Sequence, residues 1–158
     1  MSDTRVNGIL LFDGPDNNCF GCSPFNDRGL KLAWRRAADG EIEASYTAAP
    51  HLNGSPGIVH GGIQAVLLDE TMGVAINHGQ APGAERFVVT AHFELDYRRP
   101  VPTGVPLLLR ARQTGSEGRN YFVEGEICDA EGSALTRASA RWVEVPPPAN
   151  LAQIRGSN

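Results

Sequence analysis

The most restrictive feature of the sequence is an apolar stretch of about 16 residues, from Gly61 to Ile76, that contains two adjacent carboxylates, Asp69 and Glu70. The stretch is longer than a typical strand and rich in good helix formers, so we predict one helix from Gly61 to about residue 78. At about 100° per residue, its apolar side chains surround almost the whole helix. Such a helix has to be buried on most sides, and a carboxylate buried with it is costly unless it is paired or functional.

The segments on both sides of this helix alternate apolar and polar side chains, and this period of two predicts strands. Glycine-containing links such as "ADG", "TGSEG" and "DAEG" separate several of them and favour antiparallel hairpins. The predicted fold class is therefore α+β, with a long central helix wrapped by a curved antiparallel β-sheet. The predicted strands are residues 30–37, 41–48, 86–100, 105–114, 119–128 and 133–145, and residues 48–59 are predicted to form a loop.

The length of 158 residues suits one domain with a single core. We assign residues 1–146 to this domain, including a turn-rich N-terminal segment over residues 1–27, and residues 147–158 to a flexible C-terminal tail. The net charge of −4 argues against nucleic acid as a partner, because no basic excess is available to displace counterions. No stretch reaches the roughly 20 apolar residues that span a bilayer, so we expect no membrane partner and a cytoplasmic protein.

Three motifs resemble one family of enzymes. They are "VHGGIQAVLLDETMG" at residues 59–73, "VVTAHFELDYRRPVPTG" at residues 88–104, and "CFGC" at residues 19–22 followed by "NDRGLKL" at residues 26–32. In this order they resemble the hotdog-fold acyl-CoA thioesterases, in the branch that includes the phenylacetate-pathway enzymes. The resemblance implies a hotdog fold and hydrolysis of an acyl-CoA to a free acid and CoA. It implies no cofactor beyond the coenzyme A of the substrate.

The resemblance also implies roles for residues of the first motif. Asp69 lies nine residues after His60, where the family places its nucleophile or general base. Glu70 is the alternative acid, and otherwise a buried carboxylate satisfied by an arginine or a helix end. The backbone amide of Gly61 would polarise the thioester carbonyl, while Gly62 would let the substrate come close. His60 would position the substrate or support the leaving thiolate.

Thr90 matches a position where related enzymes carry a Ser or Thr that holds the attacking water. The alternation of its strand aims Thr90 away from the helix of its own subunit, so this role requires either a neighbouring subunit or a bulge. Asn53 is next to the position at which a related branch carries a substrate-binding Asn. Further candidates for substrate binding, at the phosphates of coenzyme A, are Arg98, Arg99 and Arg119.

Cys19 and Cys22 have the spacing of a metal or redox motif. Tetrahedral zinc needs about four ligands, and the sequence has no second cysteine pair. A redox motif would open a helix, whereas "SPFNDRG" after Cys22 is typical of a turn. We therefore interpret the pair as part of a small structural loop and predict no metal site.

Two other functions remain open at this point. One is hydration or dehydration of an acyl-CoA, and the other is non-catalytic binding of acyl-CoA. We also predict a homodimer or a dimer of dimers, because the strand at residues 86–100 has no proline before residue 100 to block pairing with its own copy. Each site would then be built from two chains, and pairing would bring Thr90 toward the partner's copy of Asp69.

Overall fold

The computed structural model describes residues 17–77 and 86–149. Among these residues the long helix α1 is Gly61–Asn77, and a short 3-10 helix lies at Pro50–Leu52. The strands are β1 Arg35–Arg36, β2 Ile42–Thr47, β3 Asn53–Ser55, β4 Ile58–Val59, β5 Val88–Tyr97, β6 Pro106–Glu117, β7 Asn120–Cys128 and β8 Ala134–Glu144.

Six of these strands form one antiparallel sheet in the order β1-β2-β6-β7-β8-β5, and β3 pairs with β4 separately. Short turns join β6 to β7 and β7 to β8. These turns contain Gly118 and Gly132 at positive φ, a backbone conformation that glycine adopts without steric cost. The sheet order leaves β5 at one edge.

Helix α1 packs against one face of this sheet. Leu67, Leu68 and Met72 of the helix are fully buried. A Cβ added to Gly125 on β7 would lie 2.9 Å from the Met72 Cγ, so the absence of a side chain on this strand makes room for the helix. A Cβ on Gly73 would likewise lie 2.8 Å from the Trp142 ring. Close packing of this kind fixes the helix axis relative to the sheet.

The structure confirms the predicted helix and the α+β hotdog architecture. It places a strand in each predicted segment, although β6 extends to Glu117, three residues beyond the predicted segment 105–114. The prediction for residues 30–37 is wrong in extent, because only Arg35 and Arg36 join the sheet. The alternating side chains before them do point into the core, but their backbone bonds elsewhere. The amide of Leu30 donates to the Phe20 carbonyl oxygen at 2.7 Å, and that of Leu32 to the Gly21 oxygen at 2.9 Å.

Two local features differ from a regular pattern. The predicted loop at residues 48–59 contains the 3-10 helix and the small hairpin β3–β4. Strand β5 carries a bulge against β8, because Thr90 pairs with Trp142 while His92 pairs with the next residue, Arg141. Ala91 is the extra residue, and a bulge re-aims the side chains beside it.

Helix α1, which is the long helix of the described residues, is not long and apolar enough to cross a membrane.

Candidate active site

The N-terminus of α1 and the end of β5 form the walls of a surface cavity of ≈ 530 Å³. The cavity brings together five residues that the sequence predicted for the site: His60, Gly61 and Gly62 at the helix, and Arg98 and Arg99 after β5. A helix N-terminus carries partial positive charge, and two arginines lie beside it. The cavity therefore suits an anionic or polarised ligand.

The hydrogen bonds of the first helical turn distinguish between its amides. The Gly62 amide donates to Nδ1 of His60 at 2.9 Å, so His60 caps the helix with its side chain. The Ile63 amide donates to the His60 carbonyl oxygen at 2.9 Å. Among the hydrogen bonds of the described residues, none is donated by the Gly61 amide. The Gly61 N–H is thus the helix-end donor available to a ligand.

The same hydrogen bond fixes the tautomer of His60. Because Nδ1 accepts the Gly62 amide, the ring proton of the neutral imidazole lies on Nε2. His60 is exposed, and its ring lines the cavity. The Nε2–H can therefore donate to an acceptor on a bound molecule.

Two further residues that were not predicted as site residues hold this turn in place. The Tyr97 hydroxyl donates to the Gly61 carbonyl oxygen at 3.1 Å, and a Cβ on Gly61 would lie 3.3 Å from that hydroxyl. Gln64 is buried, donates to the Val59 carbonyl oxygen at 3.0 Å and accepts from Thr136 at 2.6 Å. One signal in the sequence indicates this role of Gln64, which is that a polar residue stands within an otherwise apolar segment.

Asp69 lies in the middle of α1 and meets β5. Its Oδ1 accepts a hydrogen bond from the Thr90 hydroxyl at 2.8 Å. Burial raises the pKa of the Asp69 carboxyl, and the Thr90 hydrogen bond opposes that shift. The predicted meeting of Thr90 with Asp69 is present, but within one chain. The bulge at Ala91, and not a neighbouring subunit, turns Thr90 toward the helix.

Asp69 and the Gly61 amide are well separated in a single chain. Eight residues of an α-helix correspond to about 12 Å along its axis. A nucleophile and an oxyanion donor that act on one carbonyl group each have to lie within about 3 Å of it. One chain therefore presents the two groups at different places.

Glu70, the next residue of the helix, meets the Cys19–Cys22 loop. Its two carboxylate oxygens lie 3.5 and 3.7 Å from the Cys19 sulfur. This contact corrects the expectation that an arginine or a helix end satisfies Glu70. Burial raises the pKa of Glu70 to about 7, and the pKa of Cys19 is lowered to about 5, mainly by its hydrogen bond with the Cys22 side chain.

Two predicted substrate-binding residues lie outside the cavity. Arg119 is in the β6–β7 turn, where its carbonyl oxygen accepts the Glu144 amide, and it is not a lining residue. Asn53 is in β3; its neighbour Gly54 lines the cavity instead and approaches His60 so closely that a Cβ would lie 3.0 Å from the His60 Cα. The Asn53 Oδ1 atom is buried without a hydrogen-bond partner among the described residues.

In sequence, the chain is similar to known thioesterases. A family model described as "Thioesterase superfamily" matches residues 56–136, about half of the chain. The acyl-coenzyme A thioesterase THEM4 of Rattus norvegicus is 31% identical over 111 residues, which are 70% of this chain and 46% of the relative. THEM4 of Xenopus laevis is 30% identical over 111 residues, which are 70% of this chain and 48% of the relative. The chain thus spans about half of the length of these relatives.

Solved structures agree in fold. The crystal structure of a thioesterase superfamily protein is 26% identical, with a TM-score of 0.73, and the match covers 91% of this chain and 68% of that one. A Bacillus halodurans protein solved with CoA is 23% identical, with a TM-score of 0.67 over 80% of this chain and 82% of that one. PaaI of E. coli, from the phenylacetic acid degradation operon, is 16% identical, with a TM-score of 0.60 over 67% of this chain and 73% of that one. Since the family model spans the segment from the loop before α1 into β8, the chain belongs to the thioesterase superfamily.

Proposed function

We propose that the protein hydrolyses an acyl-CoA thioester to a free acid and CoA. The observation that carries this proposal is a pair of complementary groups on α1. One is a half-buried carboxylate held by a hydroxyl, Asp69 with Thr90, and the other is the helix-end amide of Gly61, which donates no hydrogen bond among the described residues. These are the base or nucleophile and the oxyanion donor that acyl transfer needs. The names of the THEM4 relatives, acyl-coenzyme A thioesterases, support the same chemistry.

Each group has a defined task in the proposed reaction. The Asp69 carboxylate takes a proton from a water held by the Thr90 hydroxyl, or attacks the thioester carbon itself. The Gly61 N–H donates to the carbonyl oxygen, which becomes negative in the tetrahedral intermediate. The Nε2–H of His60 donates to the departing thiolate. The reaction as proposed uses only protein groups and water.

We further propose that each site combines two chains. The helical separation of about 12 Å between Asp69 and Gly61 keeps them from acting on one carbonyl within a chain. A second copy can supply the missing half if the helices lie antiparallel across a two-fold axis, so that Asp69 of one chain meets Gly61 of the other. Strand β5 is an edge of the sheet, and Val89 on it is 40% exposed, which supports pairing between copies at this edge.

Coenzyme A fits the basic rim of the cavity in this proposal. Arg98 and Arg99 follow β5, and their amides both donate to the Leu135 carbonyl oxygen at 3.0 Å. The backbone of the pair is therefore fixed beside the helix N-terminus. Planar guanidinium groups bind phosphates bidentately, so these two arginines are our candidates for the phosphates of the substrate. Arg119 and Asn53 do not line the cavity of the single chain, so we do not include them in this proposal.

A thiol-release assay tests the function. Purified protein is assayed against short, medium, long and aromatic acyl-CoAs, first as wild type and then as Asp69→Asn. The substitution keeps the size of the side chain and removes its charge, so we expect hydrolysis to fall by roughly 10²–10⁴-fold. Thermal unfolding checks that the fold is intact.

Two comparisons make this result specific. Asp27→Asn is a matched control, because Asp27 is exposed and forms a surface salt bridge with Lys31. Glu70→Gln is assayed in parallel as the alternative acid. A Glu70→Gln protein that has lost more activity than Asp69→Asn would contradict the assignment of Asp69, and a wild type that releases no thiol from any acyl-CoA would contradict the function.

A further inference from the structure

A second cluster of reactive side chains lies where the loop at residues 19–22 meets α1. Cys19, Cys22 and Glu70 each place one potential ligand atom so that all three atoms lie within 4.8 Å of one another. Within residues 17–77 and 86–149, this is the group of three His, Cys, Asp or Glu side chains that could hold a metal ion. The proposed hydrolysis uses none of the three residues.

The spacing in this cluster fits tetrahedral zinc. With Zn–S bonds of about 2.3 Å and Zn–O bonds of about 2.1 Å, a tetrahedral angle separates a sulfur and an oxygen ligand by about 3.6 Å. The Cys19 sulfur lies 3.5 Å from Oε1 of Glu70 and 3.7 Å from Oε2. Either oxygen could therefore share an ion with Cys19 without movement of the helix.

The loop is built to hold this arrangement. The Cys22 amide donates to the Cys19 sulfur at 3.2 Å, and such a bond favours the thiolate form that binds metals. The Cys19 amide donates to Oδ1 of Asn17 at 2.9 Å. A Cβ on Gly21 would lie 2.2 Å from the Glu70 Cγ, so the glycine leaves the space that Glu70 occupies.

The backbone of the loop is also anchored to the core. Phe20 and Gly21 accept the amides of Leu30 and Leu32, and both of these leucines are buried. The loop is therefore positioned by packing before any ion arrives, which lowers the entropic cost of binding.

We propose that Cys19, Cys22 and Glu70 form a binding site for a single zinc ion, with solvent as the fourth ligand. Two thiolates select a soft or borderline ion over Mg²⁺ or Ca²⁺, and one carboxylate is compatible with zinc. The spacing of cysteines alone did not predict this site, because the third ligand comes from the middle of a helix about 50 residues later in the chain. A bound ion would tie the N-terminal loop to α1 at the residue next to Asp69.

Zinc binding to the full chain tests the proposal. The protein is purified with a chelator and a phosphine reductant, dialysed, and titrated with Zn²⁺ in competition with a chromogenic chelator. We expect one ion per chain. Co²⁺ in place of Zn²⁺ should give the thiolate-to-metal charge-transfer absorption and the intense visible bands of a tetrahedral site. Thermal unfolding should shift upward with Zn²⁺ because the ion binds only the folded arrangement.

Variants identify the ligands. Cys22→Ser and Glu70→Gln should each weaken zinc binding by about 100-fold or more, and Cys22→Ser should remove part of the charge-transfer absorption. Cys128→Ser is the matched control; Cys128 is a buried cysteine on β7 outside the cluster, so its variant should bind as the wild type does. A reduced wild type that binds less than stoichiometric zinc, or a Cys22→Ser or Glu70→Gln variant with wild-type affinity, would overturn the proposal. Neither result bears on the hydrolysis assay, since the reaction as proposed uses only protein groups and water.

Discussion

At the scale of single residues, the amides of the first turn of α1 have different partners. His60 uses its own side chain to cap the Gly62 amide, and its carbonyl oxygen accepts the Ile63 amide. The Gly61 amide is left for a ligand, and Tyr97 holds the carbonyl of the same residue. His60 therefore satisfies one amide through Nδ1, and as a cavity-lining residue it keeps the N–H of Nε2 as a further donor.

The Thr90–Asp69 hydrogen bond yields a prediction about pH. Burial raises the pKa of Asp69 and the Thr90 hydrogen bond lowers it, so Thr90→Val should raise the pKa further. The proposed reaction needs the carboxylate, so we expect activity to be lost as pH falls through that pKa. In the variant, the acid limb of the profile of kcat/KM against pH should move to higher pH, and the plateau should fall by about 10-fold for the loss of one hydrogen bond.

The measurement is a pair of pH–rate profiles on one acyl-CoA. Thr47→Val is a suitable control, because Thr47 is an exposed threonine on β2. An acid limb in Thr90→Val that coincides with that of the wild type would mean that this hydroxyl does not act through Asp69.

At the scale of elements, the strand-to-helix contact at Gly125 is one of the close approaches in the core. The Met72 side chain occupies the space above this glycine and is fully buried, so it has little freedom to move. Gly125→Ala should lower the free energy of unfolding by about 1–3 kcal/mol through overpacking. Gly115 on β6 has open space where a Cβ would lie, so Gly115→Ala should change stability much less.

Denaturant unfolding of both variants measures these changes in the free energy of unfolding. Equal stability of Gly125→Ala and Gly115→Ala would show that the helix can move away from β7 at no cost. In that case the close approach would not fix the helix axis.

The sequence predicted the elements well where one local pattern determines them. The continuous apolar surface of α1 requires burial whatever surrounds it, and glycine-containing turns separate β6, β7 and β8. The predicted extent of β1 was wrong because the alternation of Leu30, Leu32 and Trp34 indicates burial of their side chains and not the hydrogen-bond partner of their backbone. That partner is the loop at residues 19–22.

The site was less predictable for a related reason. The direction of Thr90 depends on one extra residue in β5, and periodicity cannot locate a bulge. The contact between Glu70 and Cys19 joins segments far apart in the chain, and no short-range pattern connects them. The family motif at residues 59–73 assigned His60, Gly61 and Asp69. The spacing of a motif identifies the residues, but it does not give the distance between their reacting groups.

At the scale of the whole molecule, the two-chain site predicts complementation between inactive variants. Gly61→Val should block the helix end, because even a Cβ there would lie 3.3 Å from the Tyr97 hydroxyl, and Asp69→Asn removes the acid. In a mixed dimer, one of the two sites would combine an intact Gly61 with an intact Asp69. The purified mixed dimer should therefore have about half of the wild-type activity.

Co-expression of the two chains with different affinity tags, followed by thiol-release assay of the doubly purified protein, measures this. Each variant expressed alone is the control. A mixed protein as inactive as both parents would contradict a site shared between chains, and so would light scattering that shows a fully active wild-type monomer.

The order of strands in the sheet also has a consequence for synthesis on the ribosome. In the described part of the chain, strand β5 pairs with β8 at the edge of the sheet. Strand β2 pairs with β6 far along the chain, with Ile42 opposite Ala111. Helix α1 and β5 therefore leave the ribosome before the strands that cover them, and this apolar helix is exposed until β6, β7 and β8 have been synthesised. A nascent chain that ends before Ala134 already contains His60, Gly61, Asp69 and Thr90, yet it lacks the strand that brings Thr90 to the helix.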